Sequence, residues 1–258
     1  MRQRSGRFLL VGPARPLAGG LLACCAVVVI VLGVLVAHES TADRVDQAID
    51  APVLAWFAGH PVVALRMAYP ATLVPAGGVS LIAALACLAR GWLRGAGLAL
   101  LAVPVASGLN DALLKSLFHR TYEGILSYPS GHTSAVTALA SALTVLLLAP
   151  RPAPAPSQAP TPRLVTVLRW AIPAVAWLAV IVVAVGVIGL RWHYFTDAIG
   201  GTALGAGTVC ALALLLDVSW PRRTVRSGSA PGGSTRAPPR SGSAGKAGRR
   251  STASSPPG

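Results

Sequence analysis

The chain has 258 residues, of which 53% are hydrophobic and only 12% are charged. This composition excludes an ordinary soluble domain and indicates a membrane protein. The net charge of +14 does not indicate nucleic-acid binding, because the basic residues lie mostly in tails and short connections, without interleaved aromatics or zinc-ligand spacing. The four cysteines lie within apolar runs and predict neither disulfides nor a metal site: Cys24, Cys25, Cys87 and Cys210.

The beginning of the chain predicts a basic tail followed by a membrane span. Residues 1–16 carry four arginines, and residues 17–37 are uninterrupted apolar or small residues. A cleaved signal peptide is the rival interpretation. An uncleaved span is favoured because the apolar run is long and no small-x-small cleavage site closes it. Residues 38–66 combine four acids with apolar residues near helical spacing, which predicts an amphipathic segment along the membrane face.

Five further apolar runs complete an all-α bundle of six transmembrane helices. Each is close to the roughly 20 residues that cross a bilayer, and they lie at about 70–89, 95–114, 132–149, 168–189 and 197–216. In the last span, Gly201 and Gly205 predict tight helix packing within the bundle. Residues 218–258 are rich in Ser, Gly, Pro and Arg, which predicts a disordered basic tail suited to anionic lipid headgroups.

The distribution of positive charge predicts how the bundle is oriented. Six crossings place both tails, the 90–94 turn and the 150–169 connection on one side, and these segments hold 17 of the 22 Lys and Arg residues. The positive-inside rule makes this side cytoplasmic. We therefore expect a multi-pass plasma-membrane protein with cytoplasmic N- and C-termini.

Three polar clusters fall at the outer end of a bundle with this topology. Lys115 and Arg120 follow the third span, residues 128–133 open the fourth, and residues 191–197 open the sixth. A Ser-Gly turn at a helix start presents unpaired backbone N–H groups, which suit an oxyanion such as phosphate. Charged groups at a membrane boundary are costly unless they are paired or functional. Their coincidence at one depth therefore predicts a functional site.

The second and third clusters resemble the motifs of a known family. The run Pro129-Ser130-Gly131-His132 and the pair of His193 with Asp197, four residues apart, are similar to motifs of the type 2 phosphatidic acid phosphatase superfamily. Its members are membrane lipid phosphatases whose fold is shared with vanadium-dependent haloperoxidases. The resemblance covers about residues 40–216 and implies a bundle of that type.

Two arginines of the family pattern are displaced in this chain. Tyr122 stands where the family has an arginine seven residues after its lysine, which is Lys115 here, and Val187 stands at the second arginine position. Arg120 and Arg191 lie nearby and are the expected replacements. Bidentate arginine contacts suit phosphate, so these displacements bear directly on activity.

The resemblance also implies a role for each site residue. His193 would attack phosphorus and form a phosphohistidine, Asp197 would fix the tautomer of His193, and His132 would protonate the leaving oxygen. The phosphate oxygens would be held by five further residues: Lys115, Arg120, Ser130, Gly131 and Arg191. Asp111, one turn before Lys115, is expected to pair with it. We expect neither a metal nor another cofactor.

Three functions are compatible with these residues. The first is hydrolysis, at the outer membrane face, of phosphatidate, phosphatidylglycerol phosphate or an isoprenyl pyrophosphate. The second is transfer of the phosphoryl group to another lipid or a sugar. The third, favoured by the displaced arginines, is a phosphate-binding membrane protein or transporter that keeps the fold and has reduced or lost catalysis. The lipid tail, the headgroup and the oligomeric state are not specified by these motifs.

Overall fold

The computed structural model describes residues 8–149 and 162–219, which form helices and one short hairpin. In chain order the helices are α1 (Ala14–Leu35), α2 (Arg44–Phe57), α3 (Pro61–Ala68), α4 (Leu73–Ala89), α5 (Leu93–Leu109), α6 (Lys115–Phe118), α7 (Gly131–Leu148), α8 (Arg163–Gly189) and α9 (Phe195–Ser219). A 3-10 turn, Tyr69–Ala71, joins α3 to α4, and a π-helical turn, Asn110–Leu114, joins α5 to α6. The predictions for residues 1–7, 150–161 and 220–258, including most of the basic C-terminal tail, lie outside the described residues.

Six stretches within the described residues are long and apolar enough to cross a membrane. They are α1, the run from α3 through α4 (Pro61–Ala89), the run from α5 through α6 (Leu93–Phe118), α7, α8 and α9. This result confirms the predicted fold class, an all-α bundle of six transmembrane helices.

The second span begins earlier than the hydropathy pattern predicts. Its helix starts at Pro61 rather than near residue 70, so the separate segment before it shortens to α2, Arg44–Phe57. Two prolines explain the difference. Pro61 suits the first turn of a helix, where its missing N–H costs nothing, whereas Pro70 interrupts the α-helical ladder and is accommodated in the 3-10 turn.

Helices α7 and α9 form the centre of the bundle. The two helices pack against each other, while α7 also contacts α5 and α8, and α9 also contacts α1 and α5. Their close approach depends on glycine, since a Cβ at Gly201 would collide with Thr133 Oγ1 and the Ser130 carbonyl oxygen. At Gly205 it would collide with the Ser134 carbonyl oxygen and lie 2.8 Å from Ala138 N. The structure therefore confirms tight packing at both glycines.

A two-residue hairpin lies between α6 and α7. Strands β1 (Thr121–Tyr122) and β2 (Ile125–Leu126) pair antiparallel around Glu123 and Gly124, whose φ angles are 48° and 82°. Two consecutive positive φ angles match the type I′ turn, whose twist fits that of the flanking strands. The hairpin bridges the end of the third span to the start of α7.

At the opposite end of the bundle, the carboxylate of Asp217 near the end of α9 binds groups from other segments. This buried carboxylate accepts hydrogen bonds from the N–H groups of Leu9 and Leu10 at 3.0 and 2.8 Å. It also pairs with the Arg94 guanidinium at 3.5 Å. The segment before α1 is thereby attached to the C-terminal end of α9.

The α7–α9 contact predicts how sensitive the bundle is to one methyl group. Gly205→Ala should lower the free energy of unfolding by about 1–3 kcal/mol, because the new Cβ would meet backbone atoms that cannot rotate away. Thermal unfolding in detergent measures the change. Gly78→Ala in α4 is the matched control, since a Cβ there meets no atom within 4 Å. Equal unfolding temperatures for the two variants would contradict this account.

Candidate active site

The turn that opens α7 is attached to the beginning of α9. Ser130 is fully buried, and its Oγ caps α7 by accepting from the N–H of Thr133 at 3.5 Å. Its own N–H donates to the carbonyl oxygen of Asp197 at 3.0 Å. Ser130 therefore acts as the N-cap of α7 and also joins the two central helices.

The structure brings the two predicted histidines together. The rings of His132 and His193 have centroids 6.2 Å apart and lie nearly edge to face. Trp192 covers His132, with 5.2 Å between the ring centroids. His193 is buried and His132 is half-buried. Two imidazoles at this separation can both reach one small group bound between them.

Asp197 lies beside His193, as the spacing of four residues predicts. Its Oδ2 is 3.7 Å from His193 Nδ1, beyond hydrogen-bond distance, and accepts from the N–H of Tyr194 at 3.0 Å. His193 Nδ1 is buried and has no hydrogen-bond partner in the described part of the chain. A small rotation of the imidazole would let Nδ1–H donate to Asp197, and Nε2 would then be the nitrogen left for chemistry.

The structure places Arg120, an expected phosphate ligand, against two carboxylates. Its fully buried guanidinium donates to Asp197 Oδ1 at 2.7 Å and to Asp46 Oδ2 at 2.5 Å. It also donates to Thr196 Oγ1 at 2.6 Å and lies 4.2 Å above the Tyr194 ring. Burial opposes the charge of Arg120, but the adjacent carboxylates of Asp197 and Asp46 raise its pKa above the ordinary value. Its hydrogen bonds thus go to carboxylates and Thr196.

Helix α2 supplies the second carboxylate of this cluster. Asp43 caps the helix by accepting from the N–H of Asp46 at 2.8 Å. One turn apart, Asp46 and Asp50 lie on the inner face of α2 together with Phe57, whereas Val45 is 53% exposed. The face that α2 buries is therefore the one carrying two acids. The amphipathic pattern of the sequence did not indicate this, although the i, i+4 aspartate pair is a signal that could have.

Asn110 supports the α7 turn from the third span. In the orientation that satisfies both ends of its amide, it accepts from Gly131 N–H at 3.1 Å and donates to the Pro129 carbonyl at 2.9 Å. It is fully buried and begins the π-helical turn, a feature frequent at functional sites. The Gly131 N–H that was predicted to bind phosphate is therefore engaged by a side chain. Only its position before Asp111, at the end of an apolar span, marks Asn110 in the sequence.

The two remaining predicted cations differ in placement. Lys115 Nζ pairs with Asp111 at 3.0 Å, as expected, and lies near enough to His132 to interact with it electrostatically. Arg191 is exposed and lies in the turn after α8 in a left-handed conformation, with φ 58°. The structure thus places Lys115 beside His132 and leaves the Arg191 side chain exposed. Within residues 8–149 and 162–219, no three His, Cys, Asp or Glu side chains are grouped as metal ligands.

Comparison with known proteins assigns a family and a fold. The family model described as "PAP2 superfamily" matches residues 57–221. Among solved structures, the chain is similar to a transmembrane PAP2 type phosphatidylglycerolphosphate phosphatase from Bacillus subtilis, with 17% sequence identity and a TM-score of 0.57. The similarity covers 74% of this chain and 93% of that one. At this identity it shows a shared fold. No match is found among curated protein sequences.

Asp50 predicts a pH dependence of stability. Burial, together with the charge of Asp46, raises the pKa of the Asp50 carboxyl from 3.8 to about 7. Because the unfolded chain ionises first as pH rises, the stability that Asp50 contributes is complete below pH 4 and is lost as pH rises to about 7. Asp50→Asn should remove this loss.

The measurement is the unfolding temperature of Asp50→Asn relative to the unsubstituted protein at pH 5 and at pH 8. The difference should become more positive at pH 8. Asp43→Asn, an exposed change on the same helix, should show no such trend. A difference for Asp50→Asn that is the same at both pH values would contradict a raised pKa.

Proposed function

The chain belongs to the PAP2 superfamily, and from its site we propose that it hydrolyses a lipid phosphate or an isoprenyl pyrophosphate through a phosphohistidine. The main support for this proposal is the pair of imidazoles, whose ring centroids are 6.2 Å apart. Asp197 lies beside His193 at the start of α9. One ring can attack phosphorus while the other faces the departing oxygen. This arrangement supports phosphoryl transfer more directly than simple anion binding, which does not require two imidazoles.

In the proposed first step, His193 Nε2 attacks phosphorus and the bond to the leaving oxygen breaks. His132 donates its proton to that oxygen, and Asp197 stabilises the positive charge that develops on His193. In the second step, His132 takes a proton from water, and the resulting hydroxide attacks the phosphohistidine. Inorganic phosphate leaves and both histidines return to their starting protonation states.

The phosphate oxygens are proposed to lie between Lys115 and the N-terminus of α7. A helix N-terminus carries a partial positive charge and suits an anion, and Lys115 adds a full charge beside His132. Gly131 belongs to that N-terminus, although Asn110 already engages its N–H. A contact from Arg191 stays a prediction, since its exposed side chain would have to turn inward.

Two of the predicted phosphate ligands take other roles in this proposal. Ser130 caps α7 and joins it to α9, so we assign it a positioning role. Arg120 is enclosed by Asp46, Asp197 and Thr196, so we assign it to holding Asp197. The side chains proposed to touch phosphate are thereby reduced to His132, His193 and Lys115, with Arg191 as the further candidate.

The substrate is proposed to be a lipid whose headgroup sits at the outer membrane boundary. The site lies where α7 and α9 begin, so a phosphate can enter while its hydrocarbon tail stays among the spans. The Bacillus subtilis protein of similar fold is described as a phosphatidylglycerolphosphate phosphatase. Phosphatidylglycerol phosphate is therefore the first substrate to assay, followed by phosphatidate and an isoprenyl pyrophosphate.

The burial of Arg120 favours one second candidate, a phosphate-binding membrane protein or transporter with little turnover. Removing this guanidinium from the substrate space leaves fewer charges to stabilise the transition state. Binding of a lipid phosphate without release of any product would support this alternative. Phosphate appearing on an added lipid or sugar acceptor, with none released, would instead indicate a phosphoryl transferase.

The nucleophile is tested by comparing phosphate release from these lipids in detergent. His193→Ala should lower the rate on the order of 1000-fold or more, because no covalent intermediate can form. His132→Ala should lower it by about 100- to 10,000-fold, since the leaving oxygen loses its proton donor. His60→Ala, at an exposed histidine between α2 and α3, is the control and should keep full activity. Equal rates for His193→Ala and the unsubstituted enzyme would exclude the proposed nucleophile.

The outer-face orientation is tested with single cysteines in a chain whose four native cysteines are replaced by alanine. A cysteine at Glu123, in the exposed hairpin turn, should react with a membrane-impermeant thiol reagent in intact cells. A cysteine at Arg90, between α4 and α5, should react only after permeabilisation. The reverse pattern would place the site on the cytoplasmic side.

A further inference from the structure

Three fully buried charged side chains connect separate parts of the chain beside His193. Arg120, in the loop after α6, pairs with Asp46 of α2 at 2.5 Å and with Asp197 of α9 at 2.7 Å. The exposed fraction of each of these side chains is 0%. Thr196 closes the cluster: its N–H donates to Asp46 Oδ1 at 2.8 Å, and its Oγ1 bonds both Arg120 and Asp46. Asp46 lies before residue 57, where the match to the family model begins.

The charges of this cluster do not cancel. Arg120 alone would neutralise Asp197, and His193 would then face an ion pair with no net charge. The second carboxylate neutralises the guanidinium in turn, so the three groups together carry one negative charge. Opposite charge close to an imidazole favours its protonated form, and the interaction is strong where water is excluded.

We propose that Asp46 is a positioning residue for the reaction, which by pairing with Arg120 leaves the charge of Asp197 available to the imidazolium of His193. This inference rests on the proposed function. Asp46 acts through Arg120 and Asp197 and has no contact with phosphate. Its effect therefore falls on the charge of His193 and on the chemical step, and substrate binding is largely unaffected.

Several other titratable side chains lie around His193 and this cluster. His132 of α7 lies across the site from His193, and Lys115 and Asp111 lie beside His132. Behind Asp197 the neighbours are Asp50 of α2, Tyr122 of β1 and Tyr194 before α9. Burial and Asp46 raise the pKa of Asp50 to about 7, so Asp50 is mostly neutral below that pH and does not replace the charge of Asp46.

Asp46→Asn tests the proposal because it removes one charge with little change of shape. The acid limb of kcat/KM against pH reports the protonation of the essential base in the free enzyme. The midpoint of this acid limb should fall by roughly half to one pH unit, the size expected when one buried negative charge near the imidazole is lost. The kcat value should fall about tenfold, with KM changed less than about twofold, since Asp46 lies outside the substrate space.

Asp43→Asn is the matched control. It removes a negative charge from the same helix, at an exposed position, and asparagine caps helices as well as aspartate. The midpoint of the acid limb should be the same in Asp43→Asn as in the unsubstituted enzyme. A purely structural role for Asp46 would lower the amount of active enzyme at every pH and leave the midpoint unmoved, and that outcome would overturn the proposal.

Two further variants protect the test from poor folding of Asp46→Asn. Asp46→Ser removes the same charge without placing an amide N–H against the guanidinium, and it should shift the midpoint in the same direction. The double variant Asp46→Asn with Arg120→Gln removes one negative and one positive charge. The cluster then keeps its net charge of one negative unit, carried by Asp197. The midpoint of the double variant should return toward that of the unsubstituted enzyme. A midpoint as low as in the single variant would contradict the charge argument.

Failure of the proposed function is distinguishable from failure of this inference. If the unsubstituted protein releases no phosphate from any lipid, the proposed function fails. An NMR titration of the His193 ring then compares Asp46→Asn with the unsubstituted protein directly. A midpoint that is lower in the variant supports the electrostatic link, and identical titrations overturn it.

Discussion

One buried guanidinium determines how the polar end of this bundle is arranged. Arg120 is enclosed between Asp46 and Asp197, and removal of either carboxylate would leave part of the guanidinium without its hydrogen-bond partner in a place from which water is excluded. Leaving a buried hydrogen-bonding group without its partner costs about 1–3 kcal/mol, and more for a charged group, which exceeds what a typical surface ion pair contributes. Helix α2, the loop after α6 and the start of α9 are held in one relative position by this requirement. The placement of His193 follows from it, since His193 lies four residues before Asp197.

A second constraint acts through shape. The backbone hydrogen bond from Ser130 to the Asp197 carbonyl can form only if α7 and α9 approach closely, and glycines at positions 201 and 205 permit that approach. Larger side chains there would separate the helices and with them His132 and His193. The small glycines within the spans and the polar residues at the end of the bundle thus both position the two histidines, the first by allowing close packing and the second by hydrogen bonding.

The two constraints divide the polar residues into two groups. Asp46, Asn110, Arg120 and Ser130 bond to other protein groups and are buried, so their contribution is to hold the site in place. His132, His193 and Lys115 retain groups that can meet a substrate. In the proposed reaction, the N-terminus of α7 and Lys115 favour the phosphate, while the net negative cluster behind Asp197 favours the imidazolium.

The six spans, the all-α class, the family and the grouping of two histidines with one aspartate can all be predicted from the amino-acid sequence. The spans, the class and the His193–Asp197 pair follow from local signals, namely hydropathy over about 20 residues and an i, i+4 spacing. The family and the meeting of the two histidines follow from the resemblance of the motifs and from the topology of the spans. Three features are visible only in the folded chain: Arg120 binds carboxylates, Asn110 engages Gly131, and α2 buries its acidic face. Arg120 lies 74 residues from Asp46 and 77 from Asp197, and no local pattern records a contact between such distant positions. A guanidinium binds carboxylate and phosphate with the same geometry, so its partner is set by which one the fold brings within reach.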